Sequence, residues 1–266
     1  MPLNAGESVG PFTIIRLISK EGGFADIYEA GWGEKKSTVA LKVLRDNADK
    51  YATSLFNTET RILEELAPLN HPAIIGCLAS GNDGARRFIA MEKLEKDVFS
   101  TLKVKPMLPA EATRLIVQVC GALVPIHDRG FIHHDLHTHN LLWDSKGNVK
   151  LTDFGIAYVP GEEKPSRKLG IDQYMSPEEV RGVRDDRRSD LYCLGLTYLQ
   201  LLTSRRFPRH RDEPIPEPNE YGKTTGITPG CIAVLMRMLE KDPAQRFQTA
   251  RDALAALQGI EVPPAE

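Results

Sequence analysis

The apolar residues change period partway along the chain, and that change limits the folds open to it. In the first third, FTIIRLIS (Phe12–Ser19), ADIYEAGW (Ala25–Trp32) and STVALKVL (Ser37–Leu44) are rich in β-branched and aromatic residues, with glycine turns separating them. They read as strands. From Tyr51 to Leu66 the rhythm is helical, with Leu55, Ile62, Leu63 and Leu66 recurring, and Pro68 and the His71–Pro72 pair end it. Two short strands are expected near Ile75–Ala79 and Arg87–Met91. Beyond them Pro109–His127 reads as a helix with Leu115, Val119, Ala122 and Leu123 inward, weakened near its end by Pro125. Ser189–Leu202 is apolar enough to be buried on most sides. Ala233–Glu240 and Thr249–Leu257 are short amphipathic helices, and the proline-rich, charged Arg206–Thr228 is a loop. Strands first and helices after predict an α+β protein of two lobes.

Composition narrows the class. The 266 residues are 41% hydrophobic and 26% charged, enough apolar material for a core. A net charge of −2 gives no basis for expecting nucleic acid or an anionic membrane as partner. Cys77, Cys120, Cys193 and Cys231 form no CxxC pair, which predicts reduced thiols and a cytoplasmic protein. MPLNAGESVGPFTII has neither a basic n-region nor an apolar h-region, so no leader is expected, and no apolar run approaches a membrane span.

Two features of the strand region point to phosphate chemistry. In KEGGFADIY, Lys20–Tyr28, glycines at 22 and 23 would let backbone N–H groups approach phosphates; a plain hairpin turn is the alternative. In VALK, Val39–Lys42, a lysine sits in an apolar strand, where a charge needs a partner or a ligand. Glu59, placed on the polar face of the following helix, is available as that partner. The pair is either structural or a device that offers Lys42 to phosphates.

The stretch FIHHDLHTHNLLWD, Phe131–Asp144, holds four histidines, which raises a zinc site as one reading. It also places Asp135 and Asn140 before Asp153 of VKLTDFG with the spacing phosphoryl transfer requires: one carboxylate to receive a hydroxyl proton, and a second carboxylate with an amide oxygen to hold Mg²⁺. VALK, HHDLHTHN, DFG, YMSPEE (Tyr174–Glu179), SDLYCLGL (Ser189–Leu196) and DPAQRF (Asp242–Phe247) occur in the order and spacing of one family. The chain resembles the eukaryotic-type (Hanks-type) protein kinases over about residues 11–258.

That resemblance implies a bilobal kinase-like fold, with a β-rich lobe over about 11–92, a helical lobe over about 95–258, and short tails at 1–10 and 259–266. It implies ATP and Mg²⁺ as cofactors, with Mn²⁺ as an alternative ion, and protein Ser/Thr hydroxyls as acceptors. Asp135 stands at the catalytic base, with Lys42, Glu59, Asn140 and His137 in the catalytic set and Asn140 and Asp153 at the metal. ATP contacts fall on Ser19, Lys20, Gly22, Gly23, Phe24, Ile27, Ala40, Lys42, Met91, Glu92, Leu94 and Leu142. Asp190 would brace the catalytic loop, Glu178 would pair with Arg246, and His133 would pack beneath Phe154.

The departures from the family pattern are specific. His134 replaces an arginine that a phosphate on the activation segment commonly neutralises; read as a neutral imidazole, it predicts activity without that phosphate. Between Asp153 and Glu178 the Ser/Thr hydroxyls are Ser166 and Ser176. His137 replaces a lysine that steadies the γ-phosphate, and either does that job or points at solvent. Ile171 stands where a threonine usually bonds the catalytic aspartate. Lys20 and Ala25 replace two loop glycines. The arginine groups Arg181–Asp190 and Arg205–Arg211 read as solvated faces. Two rival functions remain: a catalytically weak or inactive kinase-like scaffold, and a small-molecule phosphotransferase, since HDLHTHN also looks like the HDLHxxN loop of antibiotic and choline kinases.

Overall fold

A computed structural model describes residues 2–20, 23–33, 37–94, 96–102, 106–159, 161, 170–171, 173–204, 215, 218 and 226–261. Gly22, Ser166, the arginines of 205–211 and most of the 206–228 segment lie outside the described residues. The chain forms two compact units, Met1–Glu95 and Lys96–Glu266.

The first unit is built on a six-stranded antiparallel sheet. Its strands are β1 (Ser8–Val9), β2 (Phe12–Ser19), β3 (Ala25–Trp32), β4 (Ser37–Leu44), β5 (Cys77–Asp83) and β6 (Arg86–Glu92), in the order β1-β2-β3-β4-β6-β5. Alternation along the strands gives each face its own set of side chains. Phe12, Tyr28, Leu41 and Phe88 share one face and form a buried cluster. The cross-strand pairs Ile27↔Lys42, Lys42↔Ile89 and Ala40↔Met91 put these residues on the other face. Helix α1 (Lys50–Leu66) covers that face, its start capped by Asp49, whose side chain accepts the Ala52 N–H. It ends in a short 3-10 turn at Ala67–Leu69, closed by Asn70 in the left-handed region (φ +43°).

Two expectations need correction here. Glu59 is on the buried side of α1, not its polar face: residues 55, 59, 62 and 66 form one stripe, and Glu59 is 1% exposed. Strand β5 begins at Cys77 and runs to Asp83, later than the apolar run at 75–79 indicates, because CLASGND takes its register from β6 rather than from its own pattern.

The second unit is mainly helical. It comprises β7 (Lys96–Asp97), α2 (Val98–Leu102), α3 (Pro109–Asp128), β8 (Leu141–Trp143), β9 (Val149–Leu151), α4 (Pro177–Val180), α5 (Arg188–Thr203), α6 (Pro229–Met238) and α7 (Ala250–Gln258). Proline is tolerated at the start of α3, where no N–H is needed. The helix runs through Pro125 to Asp128, one residue beyond the expected Pro109–His127, with Ile126 and His127 both buried. Helix α5 is buried from Ser189 to Thr203 and packs against α3 and α6. Gly195 permits the close approach of α6: a Cβ there would lie 2.9 Å from the Cβ of Met238. α6 spans Pro229–Met238 rather than 233–240, started by Thr228, which caps Cys231 N–H. The antiparallel strands β7, β8 and β9 form a small sheet, and the segment between α3 and β8 carries the four histidines.

Candidate active site

In the first unit, Lys42 projects from β4 and both Glu59 carboxylate oxygens lie 2.7 Å from its Nζ. The two side chains are 7% and 1% exposed, so each charge depends on the other. Phe24 places its ring 6.0 Å from the Lys42 ammonium. Ile27, Ala40 and Met91 share the face that carries Lys42. Ser19 and Leu94 are half-buried, while Lys20 and Gly23 are exposed. Sequence reasoning missed what holds the turn after β2. Arg45 donates to the Lys20 carbonyl at 2.8 Å and the Gly23 carbonyl at 3.4 Å, and its Nε donates to Asp26 at 2.8 Å. Glu92 commits its N–H to the Gly76 carbonyl, and its side chain accepts the Gly76 N–H.

In the second unit, residues 131–140 form a loop strapped from several sides. Asp190, fully buried at the start of α5, accepts the backbone N–H groups of His133 and His134 at 2.9 Å each and lies 2.8 Å from His127 Nε2. Burial works to raise the Asp190 carboxyl, but the His127 hydrogen bond and the neighbouring imidazoles outweigh it and hold it well below the usual range. His133 packs edge-on against Phe154 with ring centroids 4.8 Å apart. Its Nε2 donates to the Thr152 carbonyl and its Nδ1 accepts the Asp135 N–H, the pattern of a neutral ring, and burial lowers its pKa accordingly.

The Asp135 carboxylate is held by two neighbours. Asn140 Nδ2 donates to it at 3.0 Å and to its backbone carbonyl at 2.9 Å, and His137 Nε2 lies 3.3 Å from Oδ1. His137 is buried, which removes the solvent-pointing reading. Its Nδ1 accepts the His139 N–H and caps the short turn Thr138–Asn140, while its Nε2 faces both Asp135 Oδ1 and, at 3.2 Å, Asn140 Nδ2. His139 is exposed and stacks on Phe99 at 4.0 Å. These imidazoles are engaged separately, and among the described residues no group of His, Cys, Asp and Glu is arranged to hold a metal by itself. Asp153 adopts φ +64°, as does His134, a backbone conformation that non-glycine residues rarely take. Leu142 in β8 is half-buried, and Ile171 is exposed.

Below the loop, Arg246 meets Glu178 through two hydrogen bonds of 2.6 and 2.8 Å, both residues buried. His134 contacts Glu179 and the Arg184 carbonyl, a pairing that no sequence reading anticipated.

Comparison with known proteins bears on these arrangements. The family model described as protein kinase domain matches residues 17–257. Among curated proteins, serine/threonine-protein kinase pkn3 of Myxococcus xanthus is 32% identical over 274 residues, covering 93% of this chain and 49% of the relative. Serine/threonine-protein kinase PknB of Mycolicibacterium smegmatis is 30% identical over 260 residues, covering 89% of this chain and 41% of the relative. The chain thus spans about half, or less, of the length of the curated relatives it matches. A crystal structure of a double mutant of the Mycobacterium tuberculosis PknI kinase domain superposes with a TM-score of 0.74 at 25% identity, covering 97% of this chain and 98% of that one.

Proposed function

The chain belongs to the Hanks-type protein kinase family, with that family's α+β fold, and from this premise we propose that it transfers the γ-phosphoryl group of ATP to Ser/Thr hydroxyls of protein substrates. The observation that carries the reading is the Asp135 carboxylate, fixed by Asn140 and His137 on a loop whose backbone is strapped to Asp190. Asp135 positions the acceptor hydroxyl and receives its proton. Precise positioning is most of what phosphoryl transfer asks of a protein.

The residues present fit the expected cofactors. Asn140 directs its Nδ2 at Asp135, so the amide oxygen is the atom it can give to a metal. With the Asp153 carboxylate it makes an all-oxygen donor set, suited to Mg²⁺. Held there, Mg²⁺ would supply positive charge to the phosphate groups. In the first unit, Lys42, fixed by Glu59, takes the α/β-phosphates, and the turn held by Arg45 presents backbone N–H groups to them. Ile27, Ala40 and Met91 offer an apolar surface to the adenine, joined by Leu94. Because the Glu92 N–H is committed to Gly76, its carbonyl is the group that meets the adenine edge.

Mass spectrometry of the purified chain incubated with MgATP and a generic protein acceptor tests this. Phosphorylated Ser or Thr should appear with the wild type and be lost with Asp135→Asn. Equal transfer from both forms, or phosphorylation of small hydroxylated compounds alone, would overturn it.

A further inference from the structure

The His134 ring is enclosed, with no exposed side-chain surface. Its Nε2 lies 3.0 Å from the Arg184 carbonyl, and a carbonyl only accepts, so Nε2 must carry a hydrogen. Its Nδ1 lies 2.7 Å from Glu179 Oε1. The other Glu179 oxygen accepts the Ser176 N–H at 2.8 Å, within a capping box that starts α4, so this carboxyl is already committed to the backbone. Both ring nitrogens therefore face acceptors. A neutral ring beside an ionised Glu179 would set a lone pair against the carboxylate in a site that excludes water, with no compensating bond.

We propose that Glu179 is the built-in counter-charge of a His134 imidazolium, and that this buried pair positions the catalytic loop in place of a phosphate on the activation segment. The proposal rests on the kinase reading and deepens it. His134 precedes Asp135 directly, sits at φ +64°, and is tied by its backbone to Asp190 and by its ring to Glu179 and Arg184. A residue in so unfavourable a conformation keeps it only when its surroundings hold it from several directions. The pair has no need of an added anion, because the carboxylate comes from the fold. The charged and titratable groups around it are Asp190 and Cys193 of α5 and His127 of α3 behind Asp190, while Arg184 meets the ring through its backbone carbonyl. His134 and Glu179 are positioning residues, acting through Asp135.

The test combines kinetics with spectroscopy on the whole chain. Protein treated with phosphatase and verified by mass spectrometry to lack phosphate should turn over, and Ser166→Ala should match it within about twofold. His134→Gln and Glu179→Gln should each lower kcat by about 10- to 100-fold, with the KM for ATP within about threefold of wild type. The double variant should lose no more than the worse single one, because both substitutions remove one interaction. Nitrogen-resolved spectra of the imidazoles, with His134 assigned from its absence in His134→Gln, should show both nitrogens protonated in the wild type. Strict dependence on phosphorylated Ser166, unchanged kcat in Glu179→Gln, or additive losses would overturn the proposal. So would an unprotonated Nδ1 in the wild-type spectrum, which also decides the matter if the variants fold poorly. Absence of transfer by wild type would sink the kinase reading instead, while the spectrum still judges the pair.

Discussion

Replacing Arg246 with methionine should be among the most damaging single changes in the second unit. The substitution keeps a long apolar stem but removes the charge. Glu178, 3% exposed, then keeps only uncharged donors, the Ser189 hydroxyl at 2.8 Å from its Oε1 and its own backbone N–H. The carbonyls of Arg188, Glu240 and Lys241 lose the donors that Arg246 gives them, and the guanidinium no longer lies 4.8 Å from the Tyr192 ring. Breaking a buried pair from one side costs about 3–5 kcal/mol, because the remaining charge stays desolvated. At roughly 2–4 °C per kcal/mol for a unit of this size, the melting temperature should fall by about 6–20 °C. Urea unfolding followed by Trp143 fluorescence measures the loss. Glu178→Gln combined with Arg246→Met should be less destabilised than Arg246→Met alone, since no buried charge is stranded. Acidification gives a further check. Burial acts to raise the Glu178 carboxyl, but Arg246 overrides it and the net pKa lies below the ordinary 4.5. The pair's contribution is therefore complete above about pH 4.5 and is lost as the pH falls through the lowered value. The gap between wild type and variant should narrow on acidification. A loss below about 1 kcal/mol at neutral pH, or a double variant as unstable as the sum of its parts, refutes the reasoning.

His137→Lys should lower turnover, by about tenfold, rather than improve it: lysine has no acceptor for the His139 N–H and would bring a permanent charge into a buried position. Steady-state kinetics decide this, and a rise in kcat would favour the reading that His137 substitutes for a phosphate-binding lysine. Burial pushes the Cys120 thiol up to about 12 and the Cys77 thiol to about 11, and Cys193 is raised strongly, so thiolate is scarce at neutral pH. Native protein should react slowly with a disulfide reagent at these three positions and rapidly once unfolded; fast native labelling of Cys120 would contradict the burial.

The sequence was most legible where local pattern and tertiary environment agree. The bounds of β2, β3 and β4 follow from β-branched residues between glycine turns, and the structure keeps them to the residue. Legibility failed where a charge occupies an apolar stripe. Glu59 follows Leu55 by four residues and precedes Ile62 by three, the spacing of a core position, yet a carboxylate reads as surface until its partner on another element is known. β5 failed for a related reason, since its pairing comes from its neighbour. The His134–Glu179 contact joins residues 45 apart, and no periodicity reveals it. One signal was present: Ser176-x-x-Glu179 has the form of a capping box, which predicts a helix start and fixes where that carboxylate sits.

The same logic makes α5 the most informative helix for the candidate active site. Buried along its length, it should tolerate polar side chains only where each finds a bond. Asp190, Cys193, Thr197 and Gln200 recur at steps of three and four, so they lie along one side. Asp190 accepts the N–H groups of His133 and His134, and Thr197 donates to the Leu136 carbonyl at 3.4 Å. Gln200 accepts from the Thr138 and Tyr174 hydroxyls, and the Cys193 thiol reaches the Tyr174 carbonyl. Each member of the stripe thus meets the loop that carries Asp135 or the segment that leads into α4. Their number follows from their task. A loop without regular secondary structure has backbone groups to satisfy, and a buried helix can satisfy them only through side chains placed on the side that faces it.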